Sequence, residues 1–310
     1  MRSSHSRSIC LAILNYNGRR HLEHLLPTAI TEAARFGRQC SVTVIDNRST
    51  NDDVEWIRTE FPSVSIWLAP RNEYLFSYNT FAEESPADIL VFLNNDLKLL
   101  EGFVSPLVCH FDTPDIFAVS ATSRDWENTE FTFGPVRLGC HHGMYYWLPD
   151  CGNQNAGSTL FASGGFMAVD RKKFIELGGF SRLFFPAYGE DLDLCVRGWR
   201  RGWRCLFEPR SVVLHRESAS WGIGVGSRAD RLRTRAALLF QWSCLPLSGS
   251  LTIRAAHWML WSLRKLAQGQ AWWILTAIKT RIEWTSLRAG MSLPPLTADD
   301  LARITRQLQD

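Results

Sequence analysis

The sequence predicts an α/β fold: a single, mostly parallel central sheet flanked by helices, followed by a C-terminal helical extension. Three observations predict it. Short β-branched runs alternate with helical patterns in the first third of the chain, the signature of strands joined by crossover helices. Polar and acidic residues close those runs, where strands of parallel sheets gather their ligands. Beyond Ser227 only helical periodicity continues. The chain therefore divides into residues 1–226, an α/β domain, and residues 227–310, a helical region.

Taken in order, Ser8 to Leu14 reads as a strand, and Asn15-Tyr16-Asn17-Gly18 breaks it before a helical stretch from about Arg20 to Phe36. Ser41 to Ile45 is a second β-branched run, closed by Asp46-Asn47 and followed by a helix through Trp56. Val64 to Leu68 is a third run, and Ile89 to Leu93 a fourth that stops at Asn94-Asn95-Asp96. Ser120 to Pro149 reads as irregular and aromatic, Phe161 to Val169 as a strand behind Gly164-Gly165, and Glu190 to Arg201 as a helix. A short strand from Cys205 to Leu214 ends at His215. The helical tail runs to about Arg288 with a break near Pro246-Leu247-Ser248-Gly249.

Two constellations carry chemistry. In Gly189-Glu190-Asp191-Leu192-Asp193, three carboxylates fall within four positions at a helix start. The macrodipole favours acid there, but such crowding repels unless a cation, a donor or a proton relieves it. Repulsion and burial raise one pKa, which is what a general base needs. The second is Asn94-Asn95-Asp96 after an apolar strand. A hard divalent cation such as Mg²⁺ or Mn²⁺ takes one or two oxygen ligands from protein and completes its shell with phosphates and water.

In this order and spacing the residues resemble the family 2 glycosyltransferases of GT-A fold, especially bacterial members that add rhamnose or galactose to cell-surface polysaccharides. The resemblance spans roughly residues 8 to 222. It rests on the strand leading to Asn15-Tyr16-Asn17, Val44 to Thr50, Asn72 to Asn79, Leu93-Asn94-Asn95-Asp96, and Gly178 through His215. It implies an inverting transfer of a sugar from a nucleoside-diphosphate donor to a hydroxyl of a glycan or lipid-linked acceptor, with a divalent cation as cofactor. Position by position, it places Asn15 and Asn17 against the nucleotide, Asp46 on the base or ribose, and Asn72, Asn79 and Asn95 beside the donor. Asp96 ends the family's short acidic metal motif, His215 completes the metal shell, and Asp191 is the base with Glu190 as its neighbour. Asp193 and Arg197, one turn apart, are expected to brace the helix as a pair. Two departures stand out: the motif reads Asn-Asn-Asp, and the Asn72 segment continues as Glu73-Tyr74-Leu75 where the family has Gly-Phe.

Competing classes fit less well. A nucleotidyltransferase would show a Gly-rich phosphate loop after the first strand, and a non-catalytic sugar-nucleotide-binding protein has no use for Glu190-Asp191. The formal charge of +3 does not imply nucleic acid as a partner. Its distribution is uneven: Arg228 to Arg288 holds ten Lys/Arg against two Asp/Glu, leaving that segment at +8, and it is rich in tryptophan. That combination suits an anionic membrane surface, packing against the α/β domain, or a homodimer interface. Eight scattered cysteines fit reduced thiols. With no signal-like leader and no long apolar stretch, the expectation is a cytoplasmic protein, peripheral at most to the inner face of the membrane. Acceptor recognition is expected from Trp126 to Phe161, including Tyr145, Tyr146 and Trp147, and from the loop His215 to Ser227 with Trp221.

Overall fold

The structure is a computed structural model that describes residues 7–141, 144–216, 226–243, 251–287 and 296–308. The first half builds β1 (Ile9–Asn15), α1 (Arg19–Phe36), β2 (Cys40–Asp46), α2 (Asp53–Glu60), β3 (Ser65–Leu68), α3 (Ser77–Glu84), β4 (Ile89–Asn94), β5 (Leu97–Leu99) and α4 (Val104–Val108). Next come β6 (Ile116–Arg124), β7 (Phe131–Phe133), β8 (Val136–His141), β9 (Met144–Pro149), β10 (Gly157–Ser158), β11 (Phe166–Asp170), α5 (Arg171–Glu176), α6 (Glu190–Arg200) and β12 (Arg204–His215). The tail forms α7 (Arg228–Ser243), α8 (Leu251–Ala267), α9 (Ala271–Leu287) and α10 (Ala298–Gln307).

The main sheet runs β10-β12-β6-β11-β4-β1-β2-β3, with β5 on β12 and β7 on β6. Along the path from β12 to β3, β11 alone is reversed, antiparallel to both β4 and β6, while its neighbours run the same way. The mostly parallel sheet is thus as expected. The carboxyl ends of β1, β2, β4, β6 and β12 share one crest, and the loop entering β11 joins them from the other direction.

The central strands read as continuous apolar runs because both faces are covered. On β1, Cys10 and Ala12 face one core with Tyr78, Phe92, Phe180 and Trp199, while Ile9, Leu11 and Ile13 face the other with α1 and α4. On α1, Leu22, Leu25, Leu26, Ala29 and Ala33 are buried, the spacing of one helical face. Its buried Glu32 accepts hydrogen bonds from the backbone N–H groups of Gly102 (3.0 Å) and Val104 (3.3 Å) at the start of α4.

Three sequence expectations need correction. The stretch read as irregular holds β6, β7 and the β8–β9 hairpin. The signal was weak because the apolar run Ile116-Phe117-Ala118-Val119 breaks off where β6 goes on through buried Ser120, Thr122 and Ser123. The strand expected from Phe161 begins only at Phe166, since Gly164 and Gly165 stay outside it to meet Asp191 and Asn94. The tail does not stop near Arg288: α10 follows, capped by reciprocal bonds between Thr297 and Asp300, a pattern visible in the sequence. The break expected near Pro246 and the loop holding Trp221 lie outside the described residues.

The C-terminal helices share the core of the sheet. Phe240 on α7, Trp284 on α9 and Leu301 and Ile304 on α10 belong to the same cluster as Phe92 and Trp199, and Arg303 of α10 donates to the Trp199 carbonyl (2.9 Å). The apolar residues of the Trp-rich tail therefore divide. Trp273 and Trp284 point inward, whereas Met259, Leu260, Leu263 and Leu266 on α8 and Leu275, Ile278 and Ile282 on α9 point to solvent. No helix among the described residues is long and apolar enough to cross a membrane.

Candidate active site

The crest begins with an interlocked set of amides. Asn15 donates to Asp53 Oδ2 (2.9 Å) and accepts from Asn95 Nδ2 (2.9 Å), so the ends of β1 and β4 are tied together. Asn17, in the left-handed region at φ 50, receives Thr50 N–H on its carbonyl (2.7 Å) and donates its amide to Thr50 Oγ1 (3.1 Å). Gly18 sits where a Cβ would lie 2.0 Å from Asn95 Nδ2, so a side chain there would split the set. Asp46 turns its buried carboxylate onto Ser49, accepting from its N–H (3.0 Å) and hydroxyl (2.6 Å). That fixes the loop after β2, which in turn reaches β1 through the Asn17 N–H to Ser49 Oγ bond (2.9 Å). The sequence reading passed over Asp53, although it is fully buried and also accepts from Gly18 N–H (2.8 Å). Its signal was ambiguous because an Asp at a helix start reads as an ordinary cap.

The segment from Asn72 to Asn79 is a brace. Asn72 Oδ1 accepts from Tyr74 N–H (3.0 Å). Asn79 donates to the Phe180 carbonyl (2.9 Å) and accepts its N–H (2.8 Å), so both ends of its amide are committed to the turn before the acidic motif. The departure at Glu73-Tyr74 is absorbed here. Tyr74 takes the left-handed conformation (φ 54) and stacks edge-on against Phe185 at 5.6 Å. Glu73 joins Arg71 and Arg182, each at 2.5 Å. Burial pushes the Glu73 carboxyl upward, but Arg182 and Arg71 outweigh it and hold the pKa below the ordinary value.

Gly179 packs against that brace. At φ 67, with a built Cβ 2.4 Å from Asn79 Oδ1, it admits no side chain without moving Asn79. Gly179→Ala is expected to cost roughly 2 kcal/mol of unfolding free energy, from left-handed strain and the clash together. A urea titration of variant and wild type measures it.

The acidic motif opens α6. Gly189 adopts φ 85 to turn the chain into the helix. Asp191 Oδ2 accepts from Gly164 N–H (3.2 Å) and Oδ1 from Leu192 N–H (2.8 Å), which aims the carboxylate at the loop entering β11. The next residue of that loop, Gly165, accepts from Asn94 N–H (2.8 Å), so this loop links Asp191 to the Asn94-Asn95-Asp96 turn. Asp193 is the buried brace expected of it: Arg197 Nε donates to it at 2.8 Å and the same guanidinium holds the carbonyls of Leu177 and Gly179.

Burial pushes the Asp191 carboxyl up against the pull of its N–H donors. Glu190 is pushed well above the ordinary value by burial, then by Asp191 and by Asp193, and its Oε2 is buried with no hydrogen bond among the described residues. A carboxyl whose folded pKa is raised contributes stability below its unfolded pKa, and that contribution is lost as pH rises through the folded value. Glu190→Gln is therefore expected to raise the melting temperature near pH 7.5 and to flatten the loss of stability between about pH 4.5 and neutrality. Thermal melts across that range check it; a variant melting below wild type at neutral pH would contradict it.

Asp96 and His215 meet on the other flank. β5 pairs antiparallel with β12, placing Leu97 opposite His215, and Arg216 N–H donates to the Asp96 carbonyl (2.9 Å). Asp96 Oδ2 then lies 3.4 Å from His215 Nε2, with both side chains partly open to solvent. Among the described residues no group of three or more His, Cys, Asp or Glu side chains forms a metal cage. A pair of one carboxylate and one imidazole fits a divalent cation that draws its remaining ligands from phosphate and water. Nearby, the Arg216 guanidinium lies over the Trp126 ring (4.5 Å), which meets His24 edge-on at 5.3 Å.

Comparisons with known proteins converge on one group. Residues 8–178 match the family model described as glycosyl transferase family 2. The O-antigen biosynthesis protein RfbC of Myxococcus xanthus is 25% identical over 198 residues, which are 58% of this chain and 15% of that protein. The N-acetylglucosaminyl-diphospho-decaprenol L-rhamnosyltransferase of Mycobacterium tuberculosis is 31% identical over 115 residues, 33% of this chain and 36% of the relative. This chain thus spans well under two thirds of either relative. A mannosyltransferase from Pyrobaculum calidifontis, solved with GDP-Man and Mn²⁺, superposes with a TM-score of 0.56 at 18% identity, covering 98% of this chain and 80% of that one. That likeness shows the fold, which is of the GT-A type.

Proposed function

The chain belongs to glycosyl transferase family 2, and we propose that it is an inverting hexosyltransferase that moves a sugar from a nucleoside diphosphate to a hydroxyl of a glycan or lipid-linked acceptor in cell-surface polysaccharide synthesis. The observation that carries the proposal is Asp191, aimed by Gly164 N–H into the crest where the strands end. As base, Asp191 takes the proton from the acceptor hydroxyl as its oxygen attacks the anomeric carbon from the face opposite the leaving diphosphate. Glu190, crowded beside it, raises the cost of a second negative charge and so favours proton uptake by the pair.

Asn15, Asn17, Asp46, Asn72, Asn79 and Asn95 shape the donor side. In this reading Asp46 and Asn79 act through the loops they fix, and the exposed Asn17 is the amide presented outward. Asp96 and His215 would hold a Mg²⁺ or Mn²⁺ ion, which when bound supplies neutralisation of the charge on the departing nucleoside diphosphate. Residues 1–226 would carry catalysis, and residues 227–310 support and membrane contact.

A thermal-shift screen with UDP-, GDP- and dTDP-sugars, with and without Mn²⁺, tests the donor and metal together. One nucleotide is expected to raise the melting temperature, and more so with Mn²⁺. A flat response to all three would count against the reading.

The helical tail supports a peripheral place on the cytoplasmic face of a membrane. Its outward aliphatic residues on α8 and α9 lie in a segment of charge +8, the pairing that suits anionic lipid. Wild-type protein is expected to float with vesicles containing about 30% anionic lipid at low salt, and Leu260→Asp with Ile278→Asp to remain at the bottom of the gradient. Flotation of both, or of neither, would contradict the assignment.

A further inference from the structure

The segment that departs from the family pattern carries a device that the transfer chemistry above does not use. Arg71 Nε donates to Glu73 Oε1 at 2.5 Å, and Arg182 Nη2 reaches the same oxygen at 2.5 Å. The carboxylate is 13% exposed, whereas the Arg71 and Arg182 side chains are 75% and 55% exposed. One sheltered acid therefore clasps two guanidiniums at the surface, one from the segment after β3 and one from the turn before α6.

The clasp closes a chain of three segments. The Tyr74 carbonyl accepts from the side chain of buried Asn47 (2.8 Å), which ties Glu73 and its neighbours to the loop after β2. Arg182 opens a turn whose Leu183 carbonyl accepts from Arg235 of α7 (2.9 Å). Phe184 of the same turn packs under Gly189, where a built Cβ would lie 2.9 Å from its ring, and Asp191 stands two residues further on. Each segment holds a non-glycine residue in the left-handed region: Arg48 at φ 64, Tyr74 at φ 54 and Tyr188 at φ 69. Such strain persists where the surroundings over-determine it, and it collects at binding and switch regions.

Stability does not account for the clasp. The Asn72 segment and the turn are already locked by the two bonds between Asn79 and Phe180, and by Phe76 against Phe180 at 6.5 Å and Phe185 at 5.5 Å. Ion pairs of exposed guanidiniums add little to folding. What Glu73 adds is a charged link between the donor side and the turn that delivers the base.

We infer that Glu73 is a positioning residue: through Arg182 it couples the donor segment to the turn leading to Asp191, so that a nucleoside diphosphate bound on the donor side orders the base. The inference rests on the glycosyltransferase reading above and concerns a position where the chain departs from the family.

Hydrogen exchange of the full chain tests it, with UDP, GDP and dTDP as probes, each with Mn²⁺, and with binding read by thermal shift on the same samples. In wild type the nucleotide that binds is expected to slow exchange across residues 180–191 about tenfold, within the usual range for coupling between two sites. Glu73→Ala and Arg182→Ala are each expected to bind that nucleotide yet to slow exchange by less than about twofold, and the double variant to be no worse than either, as for partners in one link. With the corresponding nucleotide sugar, each single variant is expected to lose about tenfold in kcat at nearly constant donor KM. Melting temperatures without nucleotide, expected close to wild type, separate this result from loosened packing. If Glu73→Ala melts early, Arg182→Ala, on an exposed side chain, carries the test. Equal nucleotide-dependent protection in wild type and variants, binding without protection in wild type, or a raised donor KM at unchanged kcat would overturn the inference. Failure of wild type to bind any of the three nucleotides would instead overturn the transferase reading itself.

Discussion

Asp191→Asn is expected to lower kcat by about 10²- to 10⁴-fold, the range lost with a positioned general base, while donor binding changes little. Asn is nearly isosteric, and its carbonyl can still accept from Gly164 N–H as Asp191 does, so the loop entering β11 keeps its place. What disappears is the site that receives the hydroxyl proton. The expected signature is therefore a fall in kcat with nearly constant donor KM, read by nucleoside diphosphate release. In wild type, kcat should rise with pH through the raised apparent pKa of the Glu190–Asp191 pair, because the pair must be ionised to accept a proton. The variant should lose that limb. A non-catalytic sugar-nucleotide-binding protein would show no such difference.

Asp96→Ala is expected to reduce kcat/KM on the order of 10²-fold and to abolish the extra thermal shift that Mn²⁺ gives with a nucleotide sugar. In the proposed reading the Asp96–His215 pair would be the chain's contribution to the cation, since no group of three or more such side chains forms among the described residues. Losing the only carboxylate of the pair should therefore cost more than losing the imidazole. His215→Ala is expected to weaken the Mn²⁺ response by about tenfold, within the range measured for supporting metal contacts. A shift that depends on Mn²⁺ equally in wild type and Asp96→Ala would place the cation elsewhere.

The fold was legible where its physics is local and repetitive. Strands β1, β2 and β4, covered on both faces, leave apolar runs that no other element mimics, and their polar ends announce the crest. The carboxylates of α6 were legible because crowding acids at one helix start is costly without a purpose. Strand β6 was not, since its buried Ser120 and Thr122 find distant partners only in the folded sheet: Ser120 Oγ accepts from Ser163 N–H and Thr122 Oγ1 donates to the Phe133 carbonyl. Nor was Asp53, whose value lies in reaching Asn15 and Gly18 across more than thirty residues. The bracing role of Asn79 was not legible either: the resemblance put it beside the donor, whereas its two bonds to Phe180, 101 positions away, exist only in three dimensions.

The stereochemistry of the product tests the central claim most directly. With the nucleotide sugar that gives the largest thermal shift and an acceptor that turns over, the anomeric proton of the product reports its configuration by NMR. A single displacement with Asp191 as base predicts a product of anomeric configuration opposite to the donor, formed by wild type and not by Asp191→Asn on the same timescale. Retained configuration, or undiminished product from Asp191→Asn, would contradict it.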